Sequence, residues 1–146
     1  MVKSLSEYFY QQREMIALLC FGNQQLEWLI KASKTPYHID KILASIQAGG
    51  GTPLGDALFE IQAYLAKRKV SNAFEQQKIF LITDGRSRDN LNHLKLNHFV
   101  TTEIHVLDSE TSAIKLGKAK QLADTLNANY VNLCELEQKN TAHNKT

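Results

Sequence analysis

Two short polar segments carry side-chain oxygens in a pattern suited to metal chemistry. Thr52 follows three consecutive glycines, namely Gly49, Gly50 and Gly51, and precedes Pro53 at the start of an amphipathic segment. Asp84 ends the apolar run KIFLIT and is followed by Gly85. A carboxylate and a hydroxyl held at the ends of rigid elements suit a hard cation such as Mg²⁺. Because glycine loses more backbone entropy on folding than any other residue, a run of three marks a place where the backbone must come close to something.

Both segments also have a purely structural interpretation, in which Thr52 only caps a helix and Asp84 only shapes a turn with Gly85. A nucleotide-binding loop is a further interpretation of the glycines, and it is tested by spacing. A dinucleotide fingerprint needs glycine at the first, third and sixth positions after a strand. Counted from Gly49, the sixth position is Leu54, the element before the loop is predicted to be a helix, and no Gly-Lys-Ser/Thr follows. The spacing therefore disfavours nucleotide binding.

The remaining reactive side chains do not have the spacing of an active site. His93 and His98 are five residues apart, which does not place them on one helical face. No serine has the small-residue surroundings of a nucleophile elbow. Cys20 and Cys134 make neither a disulfide framework nor a metal-ligand spacing. The sequence therefore predicts a protein that is not an enzyme.

Composition favours a folded domain of ordinary type. The chain has 146 residues, of which 43% are hydrophobic and 22% charged, and its formal net charge is +2. A charge so close to balance gives no reason to expect nucleic acid or a membrane as a partner. The longest apolar stretch, Met15 to Phe21, is too short to span a bilayer, and the N-terminus lacks the order of a signal peptide. We expect a cytoplasmic protein with one domain at residues 1–137 and a polar, disordered tail at 138–146.

Hydrophobic periodicity predicts the elements that must position Thr52 and Asp84. Helices are predicted to end near Arg13, to run from Thr35 to about Ile46 and from Thr52 to about Lys69, and to include Leu116 to Leu126. Strands are predicted at MIALLCFG, QLEWLI, KIFLIT, EIHVLD and NYVNL, and the first is expected to be buried on both faces.

Strands that alternate with helices predict an α/β fold, a Rossmann-like and mostly parallel sheet with helices on both faces. Ligands bind such sheets beyond the carboxyl ends of the strands. Asp84 and Asp108 both lie at such ends.

The order of these segments resembles a known family. GGGTPL before a helix, followed by IFLITDGR at the end of a buried strand, resembles the von Willebrand factor A (VWA) domain, and specifically the C-terminal VWA domain of the magnesium chelatase D subunit and its cobaltochelatase relatives. FYQQREMIALLCFGN resembles the junction of that domain's first helix and second strand. LDSETSAIKLGKAKQLADTLNANYVNL resembles its closing strand, helix and strand, so the likeness covers about residues 9–137.

The resemblance implies a metal-ion-dependent adhesion site (MIDAS). Its ligands would be an Asp-x-Ser-x-Ser motif after the first strand, a threonine in the second loop and an aspartate in the third. Thr52 and Asp84 match the second and third ligands. The residues that would support them are Gly49, Gly50, Gly51, Pro53 and Gly85. Val2 stands where the first aspartate would precede Ser4 and Ser6, so we expect a VWA domain truncated before its first central strand, with only weak Mg²⁺ binding.

The resemblance also implies partners. In that family the VWA domain docks onto an AAA+ ATPase and helps to couple ATP hydrolysis to metal insertion into a tetrapyrrole by a large subunit. We therefore expect a non-catalytic interaction module of a chelatase-like complex. The alternatives are a metal-free interaction module, a non-functional fragment of a split VWA protein and, least favoured, a small nucleotide-using enzyme of Rossmann-like fold.

The absent central strand has a structural consequence. Without it, the MIALLCFG and KIFLITDG strands must pair directly with each other or leave a slot between them. Buried strand edges without partners are costly. We therefore expect either direct pairing or the capture of a strand from a separate chain.

Overall fold

The computed structural model describes residues 2–34, 39–46, 53–87, 89 and 102–135. It divides into two compact units, residues 1–61 and 62–146, and the division falls within the third helix. The elements in chain order are α1 (Val2–Gln11), β1 (Ile16–Gly22), β2 (Gln25–Ser33), α2 (Ile39–Ala44), α3 (Leu54–Ser71), β3 (Lys78–Thr83), β4 (Glu103–Asp108), α4 (Lys118–Leu126) and β5 (Asn129–Asn132). Among the described helices, none is long and apolar enough to cross a membrane.

The first unit contains an antiparallel hairpin of β1 and β2. Asn23 and Gln24 join the strands, and both have positive φ angles, 49° and 58°. Two such residues in a row match the twist of a hairpin, which explains the tight turn. The Trp28 indole N–H donates to Glu60 Oε1 at 2.9 Å, which ties β2 to the start of α3.

The prediction that the MIALLCFG strand is buried on both faces is wrong. Every residue of β1 is at least partly accessible, and Ala17 is exposed. The physical reason is the hairpin, since an antiparallel strand can leave one face to solvent, whereas a parallel strand is usually covered on both. The strand predicted at QLEWLI is confirmed as part of β2, which pairs with β1.

The second unit contains a parallel sheet with the strand order β3-β4-β5. Thr83 pairs in register with Asp108, which in turn pairs with Asn132, so the carboxyl ends of all three strands lie side by side. The predicted α/β architecture with a parallel sheet is confirmed. The core of this unit consists of buried aliphatic residues of the sheet and of α4, namely Ile79, Leu81, Ile104, Val106, Leu107, Ala119, Leu122, Ala123 and Leu126.

Helix α4 begins two residues later than its apolar pattern predicts. Gly117 has a left-handed φ of 64°, and the helix starts at Lys118. Leu116, predicted to lie on the buried face of the helix, is instead 53% exposed in the loop before it. The apolar spacing extends from Leu116 across Gly117 into α4. The helix itself does not extend to Leu116, because the left-handed backbone of Gly117 interrupts it.

The described strands form two separate sheets, and β1 is not paired with β3 in either. Direct pairing of these strands is therefore not found within the described parts of the chain. Helix α3 is confirmed, although it begins at Leu54 rather than at the predicted Thr52, and Leu54, Ala57 and Leu58 are buried. Other predictions lie outside the described residues, namely the start of the second helix at 35–38 and the tail at 138–146.

Candidate functional site

The structure describes only one of the two predicted metal ligands. Asp84 is described, directly after β3, whereas Thr52 and the three glycines before it lie outside the described residues. Whether Thr52 and Asp84 meet therefore stays a prediction. Pro53 is described, and its carbonyl accepts from the Ala57 N–H at 3.0 Å in the first turn of α3.

The loop that carries Asp84 is closed by bonds from its own side chains. Asp84 Oδ1 accepts from the Arg86 backbone N–H at 2.9 Å, and Thr83 Oγ1 accepts from the Gly85 N–H at 3.0 Å. The Arg86 Nε lies 3.5 Å from Asp84 Oδ2. These bonds fix the carboxylate at the sheet edge, while its side chain stays 38% exposed. Asp84 is therefore both positioned by its loop and accessible from outside.

Gly85 seats this loop directly on the first turn of α4. Its φ is 74°, and a Cβ atom at this position would lie 2.2 Å from the Ala119 nitrogen and 2.4 Å from the Lys118 carbonyl carbon. Only a residue without a side chain allows so close an approach of two backbones. Gly85 was predicted to support the metal-site loop, and the structure shows what it contacts.

Two carboxylates are buried beside this loop at the end of β4. Asp108 and Glu110 are 1% and 2% exposed. Asp108 accepts from the Tyr130 hydroxyl at 2.6 Å through Oδ2 and from the Glu110 N–H at 2.9 Å through Oδ1. Burial raises the pKa of Tyr130, and the hydrogen bond to Asp108 adds to that rise. Asp108 thus acts as an internal acceptor that joins β4 to β5.

Glu110 joins the loop after β3 to the loop after β4. Its two oxygens accept from the Leu116 N–H at 3.2 and 3.1 Å. The Arg86 Nη2 donates to Glu110 Oε1 at 3.3 Å and to Ser112 Oγ at 3.1 Å. Arg86 therefore links Asp84 to the segment that leads into α4. Sequence reasoning did not identify Arg86, because its partners lie 24 and 26 residues further along the chain.

The described residues do not by themselves form a metal centre. Within them, no three His, Cys, Asp or Glu side chains are grouped so that they could hold a metal ion. Asp84 offers one accessible carboxylate, and the guanidinium of Arg86 beside it opposes a second positive charge. Asp108 and Glu110 are buried and already accept from internal donors. These contacts are typical of a rigid polar surface at the carboxyl ends of the strands, and not of a preformed cation site.

Comparison with known proteins identifies related chains. A family model described as von Willebrand factor type A domain matches residues 1–86. An uncharacterized protein of Mycobacterium tuberculosis is 28% identical over 147 residues, which is 96% of this chain and 23% of that protein. The 67 kDa subunit of magnesium chelatase from Heliobacterium mobile is 28% identical over 138 residues, or 83% of this chain and 21% of that subunit. The chain thus spans less than a quarter of the length of these relatives.

Two further similarities agree with these. The 67 kDa subunit of magnesium chelatase from Chlorobaculum parvum is 32% identical over 85 residues, which is 58% of this chain and 14% of that subunit. The crystal structure of the SpRpn10 VWA domain is similar with a TM-score of 0.63 at 15% identity, over 90% of this chain and 74% of that one. At this identity the likeness shows the fold, which is the α/β fold of that domain.

Proposed function

Because the chain belongs to the von Willebrand factor type A domain family, we propose that it is a non-catalytic protein-interaction module. Its binding edge is the surface at the carboxyl ends of the parallel strands, which is formed by the loops after β3 and β4. The observation that supports this most is the fixed but accessible Asp84, whose loop is tied to the next loop through Arg86 and Glu110. Rigid polar groups at a sheet edge lower the entropy cost of binding a partner.

The proposed module carries a partial metal-ion-dependent adhesion site made of Thr52 and Asp84. Mg²⁺ prefers six oxygens and keeps waters readily, so two protein ligands give weak binding, on the order of millimolar. Calorimetry with MgCl₂ tests this in the wild type and in the Asp84→Asn and Thr52→Val variants. Asp124→Asn is the matched control, because Asp124 is an exposed aspartate in α4. Micromolar affinity in the wild type that disappears in Asp84→Asn would contradict the partial site.

The proposed partners are the AAA+ ATPase and the large subunit of a chelatase-like complex that inserts a metal ion into a tetrapyrrole. The support is the similarity to magnesium-chelatase 67 kDa subunits. Fluorescence anisotropy of the labelled chain against a purified magnesium-chelatase AAA+ subunit, with ATP, tests this association. We expect binding that is lost in Asp84→Asn and retained in Asp124→Asn. Equal binding by both variants would show that Asp84 does not contribute to the interface.

A metal-free interaction module is the second candidate, and the contact between Arg86 and Asp84 favours it. In this form the guanidinium, 3.5 Å from Asp84 Oδ2, supplies the positive charge that a cation would otherwise bring. The same anisotropy titration, carried out in excess EDTA and without ATP, separates the two forms, because EDTA would otherwise also remove Mg²⁺ from the nucleotide. Binding that survives EDTA but is lost in Asp84→Asn supports the metal-free form, whereas loss in EDTA and recovery with Mg²⁺ supports the adhesion site.

We further propose that a strand ending in Asp-x-Ser-x-Ser pairs with β3, supplied by a separate chain or by another part of the protein. In the described residues β3 pairs with β4, and the support for a further strand is the resemblance to the VWA domain, whose first strand precedes this motif. Addition of an extended peptide alongside the outer strand of a sheet is a common binding mode. A synthetic peptide of this kind should raise the melting temperature of the chain, and a scrambled peptide should not. A sharply melting monomer that is indifferent to both peptides would contradict this proposal.

A further inference from the structure

An exposed apolar pair lies in the loop between β4 and α4. Ile114 is 82% exposed and Leu116 is 53% exposed, although both are large aliphatic side chains. Single exposed aliphatic residues are ordinary, but two of them displayed next to a binding edge can form the centre of a contact with another molecule. Such a contact is stronger when the loop already holds these side chains in a fixed arrangement.

The loop is held at several points by buried or fixed groups. Glu110 accepts from the Leu116 N–H with both oxygens, and Arg86 donates to Ser112. Gly117 then turns the chain into α4 with its left-handed φ. These contacts hold the loop at Ser112 and Leu116, on either side of Ile114, and anchoring of this kind lowers the entropy cost of association.

The same segment is positively charged. Between Thr111 and Gln121 the sequence contains three lysines and no aspartate or glutamate. The lysines are Lys115, Lys118 and Lys120, and all three are exposed. The neighbouring Glu110 is buried and paired with Arg86, so its charge does not compensate for these lysines. The surface therefore combines branched apolar side chains with an excess of exposed cations.

We infer that residues 111–121 form a docking surface for an acidic segment of a partner protein that places an apolar side chain against Ile114 and Leu116. The inference rests on the proposed function, since it names the chemistry of the partner that an interaction module of this kind binds. Charge complementarity selects carboxylates, and the exposed aliphatic side chains of Ile114 and Leu116 favour an apolar residue on the partner. Phosphate backbones would satisfy the lysines but leave the aliphatic pair without a partner.

Selection from a library of short random peptides against the full chain tests the inference. Enriched peptides should carry several carboxylates around a leucine or phenylalanine, and their binding should weaken as salt screens the lysines. Truncation of an anchor residue commonly costs more than 1 kcal/mol, so we expect Ile114→Ser and Lys115→Glu to weaken the selected peptides at least about fivefold to tenfold. The matched controls are Val70→Ser, at 87% exposure, and Lys67→Glu, at another exposed lysine. Neither control should change the affinity.

Several results would overturn the inference. These are an absence of enrichment, enrichment of peptides without carboxylates, and equal loss in the Val70→Ser control. Binding to vesicles containing phosphatidylserine, but not to peptides, would assign the surface to membranes instead. Repeating the titration in EDTA and in Asp84→Asn separates this inference from the proposed function. Peptide binding that persists in both, while the AAA+ subunit fails to bind, would retain the docking surface and reject the chelatase-like assembly.

Discussion

Replacement of Gly85 by alanine tests how tightly the Asp84 loop is seated on α4. Two costs are expected, and they have different origins. A left-handed φ of 74° costs a residue with a Cβ atom about 1–2 kcal/mol. The new Cβ would also lie 2.2 to 2.7 Å from backbone atoms of Lys118 and Ala119, which cannot rotate away. Overpacking of this kind costs about 1–3 kcal/mol. We therefore expect Gly85→Ala to lower the free energy of unfolding by about 2–5 kcal/mol, out of about 5–15 kcal/mol for a typical domain.

Gly117→Ala is the matched control for this measurement. Gly117 also has a positive φ, 64°, but a Cβ atom added there would have no heavy atom within 4 Å. It should therefore show only the conformational cost, about 1–2 kcal/mol. Urea unfolding of both variants, followed by circular dichroism, gives the two losses, and their difference measures the contact between the loop and α4. Equal losses in the two variants would refute the close approach of Gly85 to the helix.

Three further predictions concern charge and activity. Arg86→Gln should strengthen Mg²⁺ binding at Asp84 in calorimetry, because a repelling charge is removed, and should also lower the melting temperature, because the buried Glu110 loses its cation. Folding raises the pKa of Tyr130 above its value in the unfolded chain, which is about 10. The stability that this shift contributes is therefore fully present below about pH 10, and it is lost as the pH rises through the folded-state pKa. Tyr130→Phe should therefore be less stable at neutral pH, where Asp108 loses a donor, and should show a smaller loss of stability at alkaline pH in urea titrations. A pure preparation should not turn over ATP in a phosphate-release assay, and steady turnover would revive the enzyme alternative.

The sequence predicts the strands of the second unit well, for a physical reason. KIFLIT and EIHVLD are apolar runs bounded by polar or turn-forming residues, and the observed strands Lys78–Thr83 and Glu103–Asp108 have the same limits. In the first unit the same kind of apolar run was misleading, because MIALLCFG carries no signal that separates a buried parallel strand from one half of a hairpin. The left-handed turn at Gly117 was missed for a similar reason, since apolar spacing does not report the backbone angle.

The partners of the candidate site residues were not predictable from local patterns. Arg86 meets Glu110 and Tyr130 meets Asp108 only because the parallel register aligns the carboxyl ends of β3, β4 and β5. Such contacts depend on which strands are neighbours, and spacing along the chain does not contain this information. Asp84 was predicted because its own sequence neighbours, an apolar run and a glycine, mark the end of a strand.

The position of Arg86 limits which partners the edge can accept, with or without a metal ion. A cation bound to Asp84 would lie beside this guanidinium. Two unit charges 4 Å apart repel by about 1 kcal/mol in water and about 4 kcal/mol near a protein surface, and a divalent cation doubles both figures. The hydrogen bonds of Nη2 to Glu110 and Ser112 do not involve Asp84, whereas the Nε contact to Asp84 is longer, at 3.5 Å. Cation binding would therefore break the Nε contact while the guanidinium stays bonded to Glu110 and Ser112, so the repulsion would remain. In the metal-free form the guanidinium stays paired with Asp84 and Glu110, whereas in the proposed metal-bound form the edge would present a divalent cation. The metal-bound form would therefore favour a carboxylate on the partner, which is the chemistry that the exposed lysines of residues 111–121 select in the proposed docking surface.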